Sequence, residues 1–97
     1  QIFKLDIKQR SLSDDRTYVR VKQGNKVRLL WTSGELVLLH IHGYDIIVSL
    51  TPKVPSEVTF KAHATGRFPV TSHGFGAPDP THHAHEITLL YVEVYPN

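Results

Sequence analysis

Apolar and polar residues alternate strictly in several short runs of this chain, and that alternation limits its fold more than any other feature. In residues 2–8, Phe3, Leu5 and Ile7 fall on one side of an extended strand, while lysine and aspartate fall on the other. Turn-forming residues separate such runs, and no stretch shows the 3.6-residue period of an amphipathic helix. The pattern therefore predicts an all-β domain.

The same alternation recurs along the rest of the chain. Residues 23–25, Gln-Gly-Asn, are typical of a hairpin turn, residues 11–16 are polar and turn-rich, and two prolines in residues 51–55 favour a loop. Pro69 favours a bulge or an edge position for its own strand. Predicted strands cover residues 2–8, 17–21, 26–32, 38–42, 44–50, 58–62, 67–72 and 87–95.

About eight short strands separated by turns predict an antiparallel Greek-key β-sandwich or barrel. The chain of 97 residues is long enough for a core of its own, so residues 1–97 are predicted to form a single domain. Val27, Leu29 and Trp31 are expected to point into that core, with Leu30 outside.

Composition excludes several classes of function. The net charge of +2 is spread along the chain without a basic stripe, so nucleic acid is not an expected partner. No apolar run approaches the roughly 20 residues that span a bilayer. Absence of cysteine rules out thiolate catalysis and thiol redox switching. Because the chain starts at Gln1 rather than at a methionine, we expect a processed or trimmed chain. Removal of a signal peptide would explain this start, and we expect a location in the periplasm or otherwise outside the cytoplasm.

Histidines are concentrated in two stretches. In the segment Leu-Leu-His-Ile-His-Gly-Tyr-Asp, residues 38–45, alternation places His40 and His42 on one face of a strand and Leu39 and Ile41 on the other. Four more histidines lie in residues 73–85. Imidazoles are common ligands of zinc, copper and nickel. We predict that the fold brings the two stretches together around a metal ion.

The order of these motifs resembles a cupredoxin over most of the chain. The residues that carry the resemblance are His-Gly-Tyr-Asp at 42–45, Val-Thr-Phe-Lys-Ala at 58–62, Thr-Gly-Arg-Phe-Pro-Val at 65–70 and Leu-Leu-Tyr-Val-Glu-Val at 89–94. The chain is similar in particular to a divergent, extracytoplasmic, copper-binding branch of cupredoxin-like proteins. This resemblance implies that His42 is the first copper ligand and that residues 73–86 are the loop carrying the other ligands.

The chain departs from the family in its sulfur ligands. The family's cysteine would fall near Ser72, and the chain contains neither cysteine nor methionine. A blue-copper site depends on a copper–thiolate bond, so no such site is possible here. We expect a pale copper(II) site with nitrogen and oxygen ligands; copper(I) on two or three histidines and zinc(II) are the alternatives.

Four nitrogen ligands would require His42, His73 and two of three loop histidines, with Asp79 or Glu86 as a source of oxygen. His40 is either a ligand, a partner that supports a ligand, or a partly buried histidine bonded to backbone. We expect His63 to be a surface turn residue. The candidate metal ligands are His42, His73, His83, His85, His82 and His40.

The favoured function is copper homeostasis through capture, buffering or delivery of the metal, with a copper-trafficking or membrane copper protein as partner. Binding should weaken as the pH falls through about 6.5, where imidazole takes up a proton. The histidine-rich loop could also bridge two chains through a shared ion. The alternative is a non-metal interaction or structural domain that has lost the site. No acid/base pair or nucleophile arrangement indicates an enzyme.

Overall fold

A computed structural model describes residues 1–8, 10–13, 16–73 and 87–97. The regular structure in these residues is entirely β-strand, and no helix long and apolar enough to cross a membrane occurs among them. The nine strands are β1 (Ile2–Lys8), β2 (Ser11–Leu12), β3 (Tyr18–Lys22), β4 (Lys26–Ser33), β5 (Val37–Ile41), β6 (Ile46–Leu50), β7 (Ser56–Lys61), β8 (Gly66–His73) and β9 (Ile87–Tyr95).

Two sheets face each other in a sandwich rather than a closed barrel. One sheet has the order β2-β1-β4-β7 and the other the order β3-β9-β8-β5-β6. The predicted all-β sandwich is confirmed, but its sheets are mixed, because β1 pairs with β4 and β3 pairs with β9 in parallel. Parallel neighbours arise where the chain leaves a sheet and later returns to it. Alternation shows which side chains face inward but not how neighbouring strands run.

The core lies between the two sheets and is formed by the inward positions that alternation predicts. Val27, Leu29 and Trp31 of β4 are fully buried, as expected. The inward residues of β3, β5 and β9 are buried as well. Burying each such side chain contributes about 1.5 to 3 kcal/mol. Residues 11–16 differ from the prediction, since Ser11 and Leu12 form β2 and Leu12 joins the core.

The hairpin that joins β5 to β6 differs from the prediction in where its second strand begins. The second strand was predicted to resume at Tyr44, but residues 42–45 form a turn and β6 begins at Ile46. The backbone turns because Gly43 and Asp45 have positive φ angles of 86° and 58°. A Cβ atom on Gly43 would lie 2.2 Å from Cδ1 of Phe68, so this position also has no space for a side chain.

Pro69 explains why β5 ends where it does. The edge position considered for its strand is wrong, because β8 lies between β9 and β5. The bulge alternative lies one residue further on, where the register with β9 shifts between Val70 and Thr71. The His42 N–H donates to the Pro69 carbonyl at 3.0 Å, but proline has no N–H to return the bond. The ladder therefore stops, and His42 sits at its end.

Candidate metal centre

The His-x-His pair lies on the face of β5 that points away from the core. Leu39 and Ile41 are fully buried between the sheets, whereas His40 and His42 are half-buried on the opposite side. The two imidazole rings pack against each other, with centroids 3.9 Å apart and planes inclined by 38°. The predicted shared face is thus present, and one ring supports the other.

Strand β8 brings further polar side chains to the same face. Antiparallel pairing sets Thr71 opposite His40 and His73 opposite Leu38. Directly opposed residues share a face, so Thr71 and His73 lie beside the His-x-His pair. His42, in contrast, is joined to Pro69, four residues from His73 along β8. Four residues of strand correspond to about 13 Å of backbone.

The side chains close that separation. Nε2 of His42 lies 3.0 Å from Oγ1 of Thr71, and Nε2 of His73 lies 3.5 Å from the same oxygen. Thr71 is only 2% exposed, although it faces away from the core. Two imidazoles therefore converge from opposite directions on one buried hydroxyl. We call His40, His42, Thr71 and His73 the histidine cluster.

Ser72, near which the family's cysteine would fall, lies on the core side of β8. Ser72 pairs with Leu39, whose side chain is in the core, and is itself fully buried. Its hydroxyl donates to the Ile87 carbonyl at 3.3 Å. The side chain that meets the histidines is the one before it, Thr71. Thr71 was not among the predicted site residues because its role depends on the register of β8 against β5, which local alternation does not specify.

The cluster holds part of the predicted ligand set. His40, His42 and His73 are brought together, whereas the predicted ligands at 82, 83 and 85 and the carboxylates at 79 and 86 lie outside the described residues. Among the residues that are described, no group of three or more histidine, aspartate or glutamate side chains is arranged to hold a metal ion. The geometry therefore supplies two convergent nitrogens and one hydroxyl oxygen.

This donor set suits a borderline divalent ion. Neutral imidazole nitrogens bind copper(II) and zinc(II), and a hydroxyl or carboxylate oxygen can complete such a site. The chain has no sulfur donor, so the copper–thiolate bond of a blue-copper centre has no counterpart. If an ion is bound here, His42 and His73 would hold it through their Nε2 atoms.

Two neighbouring residues lie outside the cluster. His63 is exposed in the connection after β7, as expected, and its ring meets the Tyr44 ring edge-on at 5.1 Å. Tyr44 packs against the core and donates its hydroxyl to the Ala64 carbonyl at 2.8 Å. His63 is therefore an exposed histidine that takes no part in the histidine cluster.

Similarity to known proteins comes from structure alone. No family model matches the sequence, and no curated protein matches it. Among solved structures, a heme-copper terminal oxidase has a TM-score of 0.73 at 20% identity, covering 98% of this chain and 65% of that one. A copper binding protein in the apo form has a TM-score of 0.69 at 10% identity, covering 98% of this chain and 87% of that one.

A third neighbour is the periplasmic domain of cytochrome oxidase subunit II from Bradyrhizobium japonicum. Its TM-score is 0.68 at 14% identity, and the alignment covers 99% of this chain and 84% of that one. The chain spans less than two thirds of the length of the terminal oxidase chain. At these identities the comparisons establish architecture. They confirm the resemblance drawn from the sequence: this chain has a cupredoxin-like fold.

Proposed function

We propose that this chain is a copper-binding domain that captures, buffers or delivers copper outside the cytoplasm through a histidine site without cysteine. The observation that carries the proposal is the convergence of His42 and His73 on one hydroxyl. The fold supports it, since neighbours of the same architecture include a copper binding protein and a periplasmic domain of an oxidase. The role is binding and transfer of the ion rather than blue-copper electron transfer.

Copper(II) is the favoured ion because it binds nitrogen and oxygen ligands more tightly than the other divalent first-row metals. Zinc(II) has the same preference for imidazole and is the natural competitor. Copper(I) would be held by imidazoles alone, since the chain lacks thiolate and thioether ligands. Comparing the affinities of the purified protein for these three ions ranks them, and metal analysis of protein purified from cells identifies the ion that is bound there.

Titration of untagged protein with copper(II), in competition with a chelator of known affinity, tests the proposal. We expect the wild-type protein to bind copper(II) stoichiometrically. The affinity should fall at least tenfold in His42→Ala and in His73→Ala. His63→Ala is the matched control, because it removes an exposed histidine outside the cluster and should leave the affinity unchanged. Nitrogen hyperfine structure in the copper(II) spectrum counts the bound imidazoles. Equal affinities in His42→Ala and His63→Ala would contradict the proposal.

His40 can be assigned by the same titration. Its ring packs on His42, so a flat ring without nitrogen should preserve the support while removing a ligand. A tenfold loss in His40→Phe would make His40 a ligand. An affinity within about threefold of wild type, with the same number of bound imidazoles counted in His40→Phe as in wild type, would make His40 a support for His42.

A second candidate function is a non-metal interaction or structural domain. The absence of a three-ligand cluster among the described residues favours it. Metal analysis and thermal unfolding separate the two candidates. A ligand present at 100 times its Kd stabilises a protein by about 2.7 kcal/mol, which corresponds to a rise in Tm of about 10 °C or more. No bound metal and no rise in Tm with copper would favour the second candidate.

The proposed setting is the periplasm or another compartment outside the cytoplasm, and the proposed partner is a copper-trafficking or membrane copper protein. The support is a neighbour of the same fold described as a periplasmic domain. Fractionation of cells that produce the full-length protein tests the location. Recovery in the cytoplasmic fraction would contradict it.

A further inference from the structure

Thr71 occupies the centre of the histidine cluster. Alternation along β8 places residues 69, 71 and 73 on one face, so Thr71 lies midway between Pro69, which His42 faces, and His73. Its hydroxyl meets Nε2 of His42 at 3.0 Å and Nε2 of His73 at 3.5 Å. The second distance is at the outer limit of a hydrogen bond.

The surroundings leave Thr71 little freedom. The residue is 2% exposed, and a β-branched side chain has restricted χ1 rotation. Pro69 fixes the backbone of His42 on one side, while the His40 ring packs against the His42 ring on another. The hydroxyl is therefore a fixed reference point toward which both rings are turned.

The chemistry of a hydroxyl determines what these two contacts require. A threonine hydroxyl donates one proton and can accept others. It can donate to Nε2 of one histidine only, so the other Nε2 must carry a proton and donate to the oxygen. At least one of the two Nε2 atoms therefore carries a proton in the metal-free cluster, and both are directed at one position.

We propose that Thr71 is a positioning residue that holds the Nε2 atoms of His42 and His73 toward a single metal position. This inference rests on the proposed function and adds the group that prepares the ligands for it. A copper(II) ion at this position would be held by the two Nε2 atoms. Any proton on Nε2 would pass to solvent or to Nδ1 of the same ring, and the hydroxyl would either give way or supply an oxygen. Without the hydroxyl, the two rings lose the contact that turns them toward each other.

Two variants separate the hydroxyl from the shape of the side chain. Thr71→Val keeps the branched shape and removes the hydroxyl, whereas Thr71→Ser keeps the hydroxyl. Groups that orient metal ligands typically change affinity by about 10- to 100-fold when they are removed. We expect copper(II) affinity to fall at least tenfold in Thr71→Val and to stay within about threefold of wild type in Thr71→Ser. An unchanged or higher affinity in Thr71→Val would overturn the proposal.

A measurement without metal tests the same residue independently. Nitrogen-15 NMR of the imidazoles in metal-free protein reports the tautomer of each histidine. We expect the signals of His42 and His73 to change in Thr71→Val, and those of His63 to stay constant. Unchanged signals for the first two would overturn the proposal. If Thr71→Val does not fold, Thr71→Ala takes its place in both measurements.

The two measurements also separate failure of the inference from failure of the proposed function. Wild-type protein that binds no copper(II) contradicts the proposed function, whatever Thr71 does. Wild-type protein that binds copper(II) as tightly as Thr71→Val contradicts only the role of Thr71. Changed imidazole signals together with absent copper binding would show that Thr71 orders the histidines but that copper is not their ligand, which overturns the metal role of Thr71.

Discussion

Thr71 and Ser72 are consecutive residues with opposite surroundings. Thr71 faces two imidazole nitrogens, while Ser72 shares the core face with Leu39. The resemblance to cupredoxins indicated a cysteine position near Ser72, and the register of β8 now shows which neighbour meets the histidines. At this scale a shift of one residue moves a side chain from the histidine cluster to the core.

That difference predicts the behaviour of two cysteine variants. Thr71→Cys should bring a thiolate beside His42 and His73, the two-histidine, one-cysteine set of blue-copper centres. With copper(II) it should develop an intense charge-transfer band, which visible absorption measures directly. Ser72→Cys is the matched control and should stay pale, since its side chain lies in the core. Colour in Ser72→Cys, or in neither variant, would contradict the described arrangement.

Gly43 sets the turn that carries His42. Its φ angle is +86°, and a Cβ atom there would meet the Phe68 ring at 2.2 Å. Gly43→Ala should therefore destabilise the domain by about 3 kcal/mol, from backbone strain plus overpacking. Unfolding in denaturant measures this loss.

Alanine substitutions at two other glycines separate the backbone strain from the contact with Phe68. Gly24 also has a positive φ angle, of 92°, but has open space around it, so Gly24→Ala should cost only about 1 to 2 kcal/mol. Gly34 has open space and no positive φ angle, and Gly34→Ala should stay within about 0.5 kcal/mol of wild type. Equal losses at Gly43 and Gly24 would show that contact with Phe68 contributes nothing.

At the scale of strands, alternation of apolar and polar residues predicted the positions of individual strands but not how they pair. The bounds of β1 match the prediction, and β4 differs by a single residue at its end. Parallel pairing of β1 with β4 and the turn at residues 42–45 were not predicted. Pairing depends on contacts between distant parts of the chain, and a positive φ angle at Asp45 leaves no periodic signal. The shared face of His40 and His42 was predictable because it follows from alternation within one strand. Their contact with Thr71 was not, because it depends on how β5 pairs with β8.

The connections between strands are tied by an ion pair with a predictable pH response. Arg10 donates two hydrogen bonds of 3.1 Å to Glu35, and these bonds lower the pKa of the Glu35 carboxyl from its ordinary value of 4.5. A carboxyl whose pKa is lower in the folded state stabilises the fold above its ordinary value and loses that effect as the pH falls through the lowered value.

Glu35→Gln should therefore lower Tm slightly at pH 7, and the difference should disappear as the pH falls through the lowered pKa and the wild-type carboxyl becomes neutral. Thermal unfolding of both proteins over this range measures the change. Repeating the experiment at about 1 M salt is the control, because screening should reduce the difference at pH 7. A difference that persists unchanged at low pH would indicate packing rather than charge.

At the scale of the whole molecule, β9 holds the larger sheet together. It lies between β3 and β8, and its inward residues belong to the core. Removing residues 87–97 should abolish cooperative unfolding, because the sheet is split and four apolar side chains are lost from the core. Circular dichroism during thermal unfolding measures this effect. Removing only Pro96 and Asn97, which follow β9, should leave the transition in place.

The parallel pairing of β3 with β9 has a consequence for how the chain is made. Residues 18–22 of β3 pair with residues 91–95 of β9. The larger sheet therefore cannot be completed until nearly all of this sequence has left the ribosome. Until then β3 has no strand to pair with in its sheet, and the core between the two sheets is incomplete. Cooperative folding of the domain therefore follows the synthesis of this sequence rather than accompanying it.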